Sequence, residues 1–210
     1  MSGFFSLLAI SLSAVFFVVD PLAAVPIFIS ITAGDSQQKI RKAAARACLV
    51  GCGILLFFAL FGGLVFKVFG VTLDAFRVAG GILLLMTSLD MLRARRSETR
   101  TSPRATREGT SKEDVAIVPL AMPLLAGPGS IATVTVLMSK GTGVLSAIPV
   151  LISIVVTFAA SYLILRAAGL VHRILKQTGI AILERLMGLI LSAIAVQFIA
   201  EGSRDLFKGG

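Results

Sequence analysis

Read for runs of apolar residues, the chain divides into six hydrophobic stretches, over residues 4–33, 47–69, 71–92, 115–139, 143–166 and 180–200. A helix needs ~20 apolar residues to cross a hydrocarbon core, and each stretch meets that length. They hold too few polar positions to present a wet face, so neither the alternation of a strand nor the stripe of a surface helix describes them. Two stretches are anomalous. The first is about 30 residues, or ~45 Å as one straight helix against a ~30 Å core, and it has Asp20, Pro21 and Pro26 near its middle. The fourth contains Pro119, Pro123 and then Gly127-Pro128-Gly129. Proline removes a backbone donor and clashes with the preceding turn, so both stretches are predicted to be broken helices.

Between the third and fourth stretches lies Arg93 to Asp114, rich in Arg, Ser and Thr, with seven basic and four acidic residues. Such a composition cannot bury a core and reads as a flexible loop. It divides the chain into residues 1–92, the loop 93–114, and residues 115–210, with three spans on either side. The halves echo each other. Pro21-Leu22-Ala23-Ala24-Val25-Pro26 aligns with Pro123-Leu124-Leu125-Ala126-Gly127-Pro128, and Arg77-Val78-Ala79-Gly80 with Arg185-Leu186-Met187-Gly188. Halves with an odd number of spans lie in opposite senses across the membrane. The expected fold is therefore an all-α membrane protein of six transmembrane helices, two inverted three-helix repeats with broken first and fourth helices. Paired broken helices in inverted repeats are the sequence pointer to a transporter's central site.

Composition supports the membrane reading. Only 15% of residues are charged and 56% are hydrophobic, with a mean hydropathy of +0.95, whereas a soluble domain is roughly a quarter charged. The net charge of +9 is read as basic cytoplasmic loops against anionic lipid headgroups. Nucleic acid is not expected as a partner, because no aromatic residues interleave with the basic ones. With the N-terminus outside, fifteen basic residues fall on the cytoplasmic side, among them Lys39, Arg41, Lys42 and Arg46, and five on the other. That bias predicts both termini outside. The first stretch lacks a basic n-region and reads as a retained span rather than a signal peptide.

The candidate chemistry follows from the breaks. Irregular backbone at membrane depth is tolerated only where it packs in protein or lines a wet cavity. Freed N–H groups where the second half-helix begins suit a carboxylate, with Gly127 and Gly129 allowing close approach and Ser130 donating. Freed carbonyls of the first break, with Asp20, suit an ammonium group. Together they form a cradle for a small zwitterion, and Ala23, Ala24 and Ala126 leave space for only a small side chain. An unpaired carboxylate at mid-membrane costs ~3 kcal/mol or more, so Asp20 either caps the helix starting at Pro21, binds substrate, or carries a proton. Its counterpart in the second half is Met122.

Arg77 and Arg185 lie near opposite ends of their helices. They read as snorkelling residues or as gates paired with Asp74 and Glu184. Thr133, Thr135, Ser161, Ser192 and Gln197 are read chiefly as satisfying backbone or packing helices. Cys48 and Cys52 read as small buried hydrophobes. With His172 the only histidine, no metal site or cofactor is expected. Nor does any nucleophile–base pair suggest an enzyme. Ala59-x-x-x-Gly63 and Gly80-Gly81 read as close helix packing, within the chain or in a homo-oligomer.

At these residues the chain resembles the MarC/SnatA family of six-span membrane proteins. Val19-Asp20-Pro21-Leu22 with Pro26-Ile27-Phe28, and Ala121-Met122-Pro123-Leu124-Leu125-Ala126-Gly127-Pro128-Gly129-Ser130-Ile131, carry the resemblance. Arg77-x-x-Gly80, and Arg185-x-x-Gly188 through Ala195-Val196-Gln197, extend it. The resemblance implies a prokaryotic inner-membrane protein of the broad group that includes LysE-type exporters. It also implies proton-linked transport of small neutral amino acids such as glycine and alanine. Two rival readings are an exporter of another small solute, and a scaffold or regulator acting through the central loop.

Overall fold

In the computed structural model, residues 2–93, 125–139 and 144–208 are described; the central loop and Pro123 lie outside them. The described residues form seven helices and are otherwise turns: α1 (Ser2–Val19), α2 (Pro21–Ile31), α3 (Gln37–Val68), α4 (Leu73–Leu92), α5 (Pro128–Ser139), α6 (Val144–Arg166) and α7 (Ala168–Lys208). Five helical stretches are long and apolar enough to cross a membrane: Phe4–Ile31, Gln37–Val68, Leu73–Leu92, Ala147–Arg166 and Thr178–Phe207; α5 is a shorter apolar helix.

Two helices outrun their apolar stretches. α3 begins at Gln37, so Lys39, Arg41, Lys42 and Arg46 are helical rather than part of a loop. The cause is local: Ser36 caps the helix, its hydroxyl accepting from the Lys39 N–H at 3.4 Å, and Lys, Arg and Ala favour helix whatever their polarity. α7 likewise continues past residue 200 through Glu201, Arg204 and Asp205. The turn from α3 to α4 is short. Gly70, at φ +66, directs the Val71 N–H to the Phe66 carbonyl and its own to Lys67, a Schellman arrangement. Thr72 then caps α4, accepting from the Ala75 N–H at 3.2 Å.

The helices pack across the two halves of the chain. α1 lies on α6, α3 on α5 and α6, α4 on α5, α2 on α7, and α4 and α7 share the most extensive contact. Along that contact rising numbers on α4 meet falling numbers on α7, so the two run antiparallel: Asp74 and Val78 lie against Gly202, Gly81 against Ala195 and Ile199, and Ser88 and Met91 against Gly188. A Cβ on Gly81 or Gly202 would stand 2.9 or 2.8 Å from a carbonyl oxygen of the facing helix, so only hydrogen fits. Small residues that let backbones approach are what hold membrane helices together where lipid removes the hydrophobic drive.

Two apolar clusters result. One joins Val15, Val19, Ala24, Phe28, Leu55, Leu125, Val134, Ile154 and Leu165; the other joins Val18, Ala23, Leu84, Met91, Leu191 and Ala195. Successive residues at the first break thus belong to different clusters, and Asp20 lies at the seam. Outward faces carry Phe57, Leu60, Phe61 and Leu64 on α3 and Ile182, Leu186, Leu189 and Val196 on α7, all exposed. A face so continuously apolar is suited to hydrocarbon rather than water.

Candidate functional site

The first break is a single residue. Asp20 adopts a left-handed conformation, φ 48 and ψ 63, which Asp tolerates better than most side chains. Its Oδ1 accepts from the Ala23 N–H at 3.3 Å, and Pro21 takes the first helical position, where its missing donor costs nothing. Asp20 is therefore a helix cap, 3% exposed. Pro26, expected to help open the stretch, lies inside α2 without breaking it. The capped turn has already nucleated the helix there, so Pro26 removes one hydrogen bond from a helix held by its neighbours.

The second break is the start of α5, with Pro128 in its first turn and the Ile131 N–H bonded to the Gly127 carbonyl at 3.0 Å. Ser130 is buried, and its hydroxyl lies 3.4 Å from the Val18 carbonyl and 3.3 Å from the Leu125 carbonyl. One hydroxyl proton can serve only one of these at a time. The contact with Val18 ties the two breaks directly together. The helix restarts fall at non-equivalent prolines of the aligned motifs, Pro21 being the first of its pair and Pro128 the second. Gly127 supplies the reason: glycine is a poor helix residue, whereas Val25, which precedes Pro26, is already held in α2.

The cradle residues divide by surroundings. Leu125, Ala126 and Ala24 are wholly enclosed in the larger apolar cluster. Gly129 is pressed against α4, so that a Cβ there would overlap the Leu84 side chain. Ala23 and Asp20 instead line a narrow cleft with Leu22 on one side and Val171, Leu175, Ile180, Leu183, Glu184 and Met187 of α7 on the other. It has room for about one water molecule. Glu184, which the sequence suggested only as a partner for Arg185, thus shares a cleft with Asp20.

Arg77 and Arg185 differ sharply. The Arg77 side chain is 8% exposed and sits among three carboxylates, Asp205 at 3.1 Å, Asp74 at 3.7 Å and Glu201 at 4.0 Å. Gln197 donates to Glu201 at 2.8 Å. The Asp74 pairing was legible from its i, i+3 spacing; Glu201 and Asp205 arrive only because α7 runs antiparallel to α4. Arg185 is exposed on α7, as a snorkelling residue is. Arg77→Met should destabilise the α4–α7 contact by about 2 kcal/mol, because it leaves partly buried carboxylates facing one another. Apparent melting in detergent checks this, with Arg77→Lys expected to recover only part of the loss for want of the guanidinium fork.

The remaining hydroxyls mostly bond back to their own helices: Thr133 to the Gly129 carbonyl, Thr135 to Ile131, Ser161 to Thr157 and Ser192 to Leu189. Cys48 is buried and Cys52 half-buried, both as free thiols. Among the described residues no group of His, Cys, Asp and Glu could hold a metal ion. Two buried hydroxyls escaped the sequence reading. Ser11 Oγ and Thr157 Oγ1 have no hydrogen-bond partner among the described residues; nothing in their spacing marks them as buried. An orphaned buried hydroxyl costs about 1–3 kcal/mol, so Thr157→Val, of equal shape, should leave the melting temperature unchanged or raise it.

Comparison with known proteins agrees with this architecture. The pattern of the family described as "MarC family integral membrane protein" matches residues 4–207. A UPF0056 membrane protein of Methanocaldococcus jannaschii is 40% identical over 93% of this chain and 95% of its own length. One from Aquifex aeolicus is 34% identical over 99% and 94%, and the UPF0056 membrane protein YvbG of Bacillus subtilis 33% identical over 92% of each. No solved structure matches. With helices that suit a bilayer and a family pattern running almost from end to end, the chain belongs to the MarC family of integral membrane proteins.

Proposed function

We propose that this protein is a proton-coupled secondary transporter of small neutral amino acids, of the glycine and alanine class, with its site between the two helix breaks. The observation that carries the reading is the apposition of those breaks: a helix start at Pro128, whose Ser130 hydroxyl reaches the Val18 carbonyl at 3.4 Å, beside a helix start capped by a buried carboxylate, Asp20. Nothing in simple span packing calls for two interrupted helices meeting at mid-chain depth. In this reading, opening frees the Val18 carbonyl and the Ser130 hydroxyl for the ammonium and carboxylate ends of a zwitterion. Asp20 then takes the ammonium or carries the coupled proton.

The packing supports two inverted three-helix repeats. The contact of α2 with α6 has its counterpart in α5 with α3, and that of α4 with α5 in α7 with α2, while α4 and α7 meet antiparallel. A twofold relation between halves of opposite orientation produces these pairings, and rocking one half against the other gives alternating access. The cleft at Asp20 holds about one water, less than glycine needs, so the conformation is a closed one. By the charge bias of the loops, both termini face outward from a prokaryotic inner membrane.

The test is uptake of labelled glycine and alanine into proteoliposomes under an imposed pH gradient. Uptake that follows the gradient, for these and not for larger amino acids, is expected. Absence of uptake for both, with or without the gradient, overturns the amino-acid reading.

A further inference from the structure

We propose that residues 169–175 are a gate over the Asp20 cleft, hinged at Lys176. α7 is helical on both sides of Lys176, but that residue stands at φ 52 and ψ 179, a conformation open to glycine and strained for a residue with a Cβ. Asp20, the other non-glycine residue at positive φ among those described, is the helix cap already accounted for. Lys176 is exposed, caps nothing that the contacts show, and joins two helical pieces that a relaxed lysine would continue as one.

The piece before the hinge is built as a flap. Val171 and Leu175, one turn apart and so on one face, close the cleft above Asp20, Leu22 and Ala23. On the other face His172, Arg173 and Ile174 are exposed. The cleft's other walls are fixed: Ala23 belongs to the cluster between α2, α4 and α7, and Ile180 is buried beyond the hinge. Gly179 leaves room for Leu175, whose Cβ lies 3.2 Å from where a Gly179 side chain would start, whereas around Gly169 there is open space. Ala168 stays anchored in the larger apolar cluster, so moving the flap beyond it takes Val171 and Leu175 out of the cleft, parts Val171 from that cluster, and releases the strain at Lys176. The strain belongs to the closed state and biases it toward opening, a population shift set by one backbone residue.

The gate gives the proposed transport site its access path and rests on that reading only for what passes through. Its test needs no transport. In full-length protein with Cys48→Ala and Cys52→Ala, Ala23→Cys reports access to the cleft through its rate of modification by methanethiosulfonate ethylammonium in proteoliposomes. Lys176→Gly relieves the strain in the closed state and should slow labelling about tenfold. Lys176→Ala loses the charge but keeps the Cβ, and should label at the parent rate. A Lys176→Gly protein that labels as fast as its parent or faster, or equal slowing by glycine and alanine, overturns the gate. Glycine uptake by the same Lys176 variants without Ala23→Cys separates the two readings. Slowed labelling with no uptake even in wild type keeps the gate and removes the amino-acid reading; normal uptake with unchanged labelling does the reverse.

Discussion

Gly80→Val is expected to be the most damaging single substitution at the centre of the molecule, lowering stability by about 3 kcal/mol or more. A Cβ at Gly80 would fall on the Cβ of Ala132 in α5. Alanine's Cβ is fixed to its backbone and has no rotamer through which to withdraw, so α4 and α5 must separate. Next to it, a Cβ on Gly81 would stand only 2.9 Å from the Ala195 carbonyl oxygen, so α4 already lies close against α7 and cannot escape that way either. Gly129 makes the useful contrast. A Cβ there meets the far end of the Leu84 side chain, which can rotate aside, and Gly129→Ala should cost about 1 kcal/mol. For a chain of this length the two costs correspond to apparent melting shifts of roughly 6–12 °C and 2–4 °C. Detergent-solubilised protein followed by circular dichroism checks the ranking. Equal losses, or a larger loss at Gly129, would mean that the three helices do not meet as described.

At Asp20 the cap and the charge can be separated. Asn keeps the side-chain acceptor and tolerates positive φ, so Asp20→Asn should fold with a melting temperature within a few degrees of wild type. Its gradient-driven uptake of glycine should nevertheless fall at least about tenfold, because the group that takes the ammonium or the proton is gone. Asp20→Gly keeps the left-handed backbone but loses both acceptor and carboxylate. It should lose uptake while losing only about a few tenths of a kcal/mol of cap stability. Asp20→Ala adds backbone strain and should be the least stable of the three. Glycine uptake by Asp20→Asn that survives but no longer follows the pH gradient assigns the carboxylate to coupling rather than to substrate contact. Full, gradient-dependent uptake by Asp20→Asn would reduce Asp20 to a structural cap.

What could be read from the residues alone divides along physical lines. The run lengths of apolar residues located five of the six expected spans among the described residues, because the thickness of a hydrocarbon core is a property of lipid and not of the fold. The place of both breaks was legible, since a proline's missing donor and a cap's acceptor act within a few residues. Which proline restarts each helix was not, because Pro26 is kept in α2 by the packing around Val25 and Phe28. Helix ends were underestimated in α3 and α7, where Lys, Arg and Glu favour helix although a hydropathy window rejects them. Contacts between elements needed the tertiary structure. Arg77 shows its i, i+3 partner Asp74 in any linear reading, but Asp205 and Glu201 meet it only through the antiparallel crossing of α4 and α7. Glu184 enters the Asp20 cleft for the same kind of reason. The strain at Lys176 has no sequence signal at all, because a lysine there would join either a straight helix or a hinge. The local code, set by lipid thickness and backbone chemistry, determined which of the described segments are long and apolar enough to cross and where α2 and α5 start. Only the close approach of glycine-lined helices distant in the chain decided which charges meet, which surfaces enclose Asp20, and what covers them.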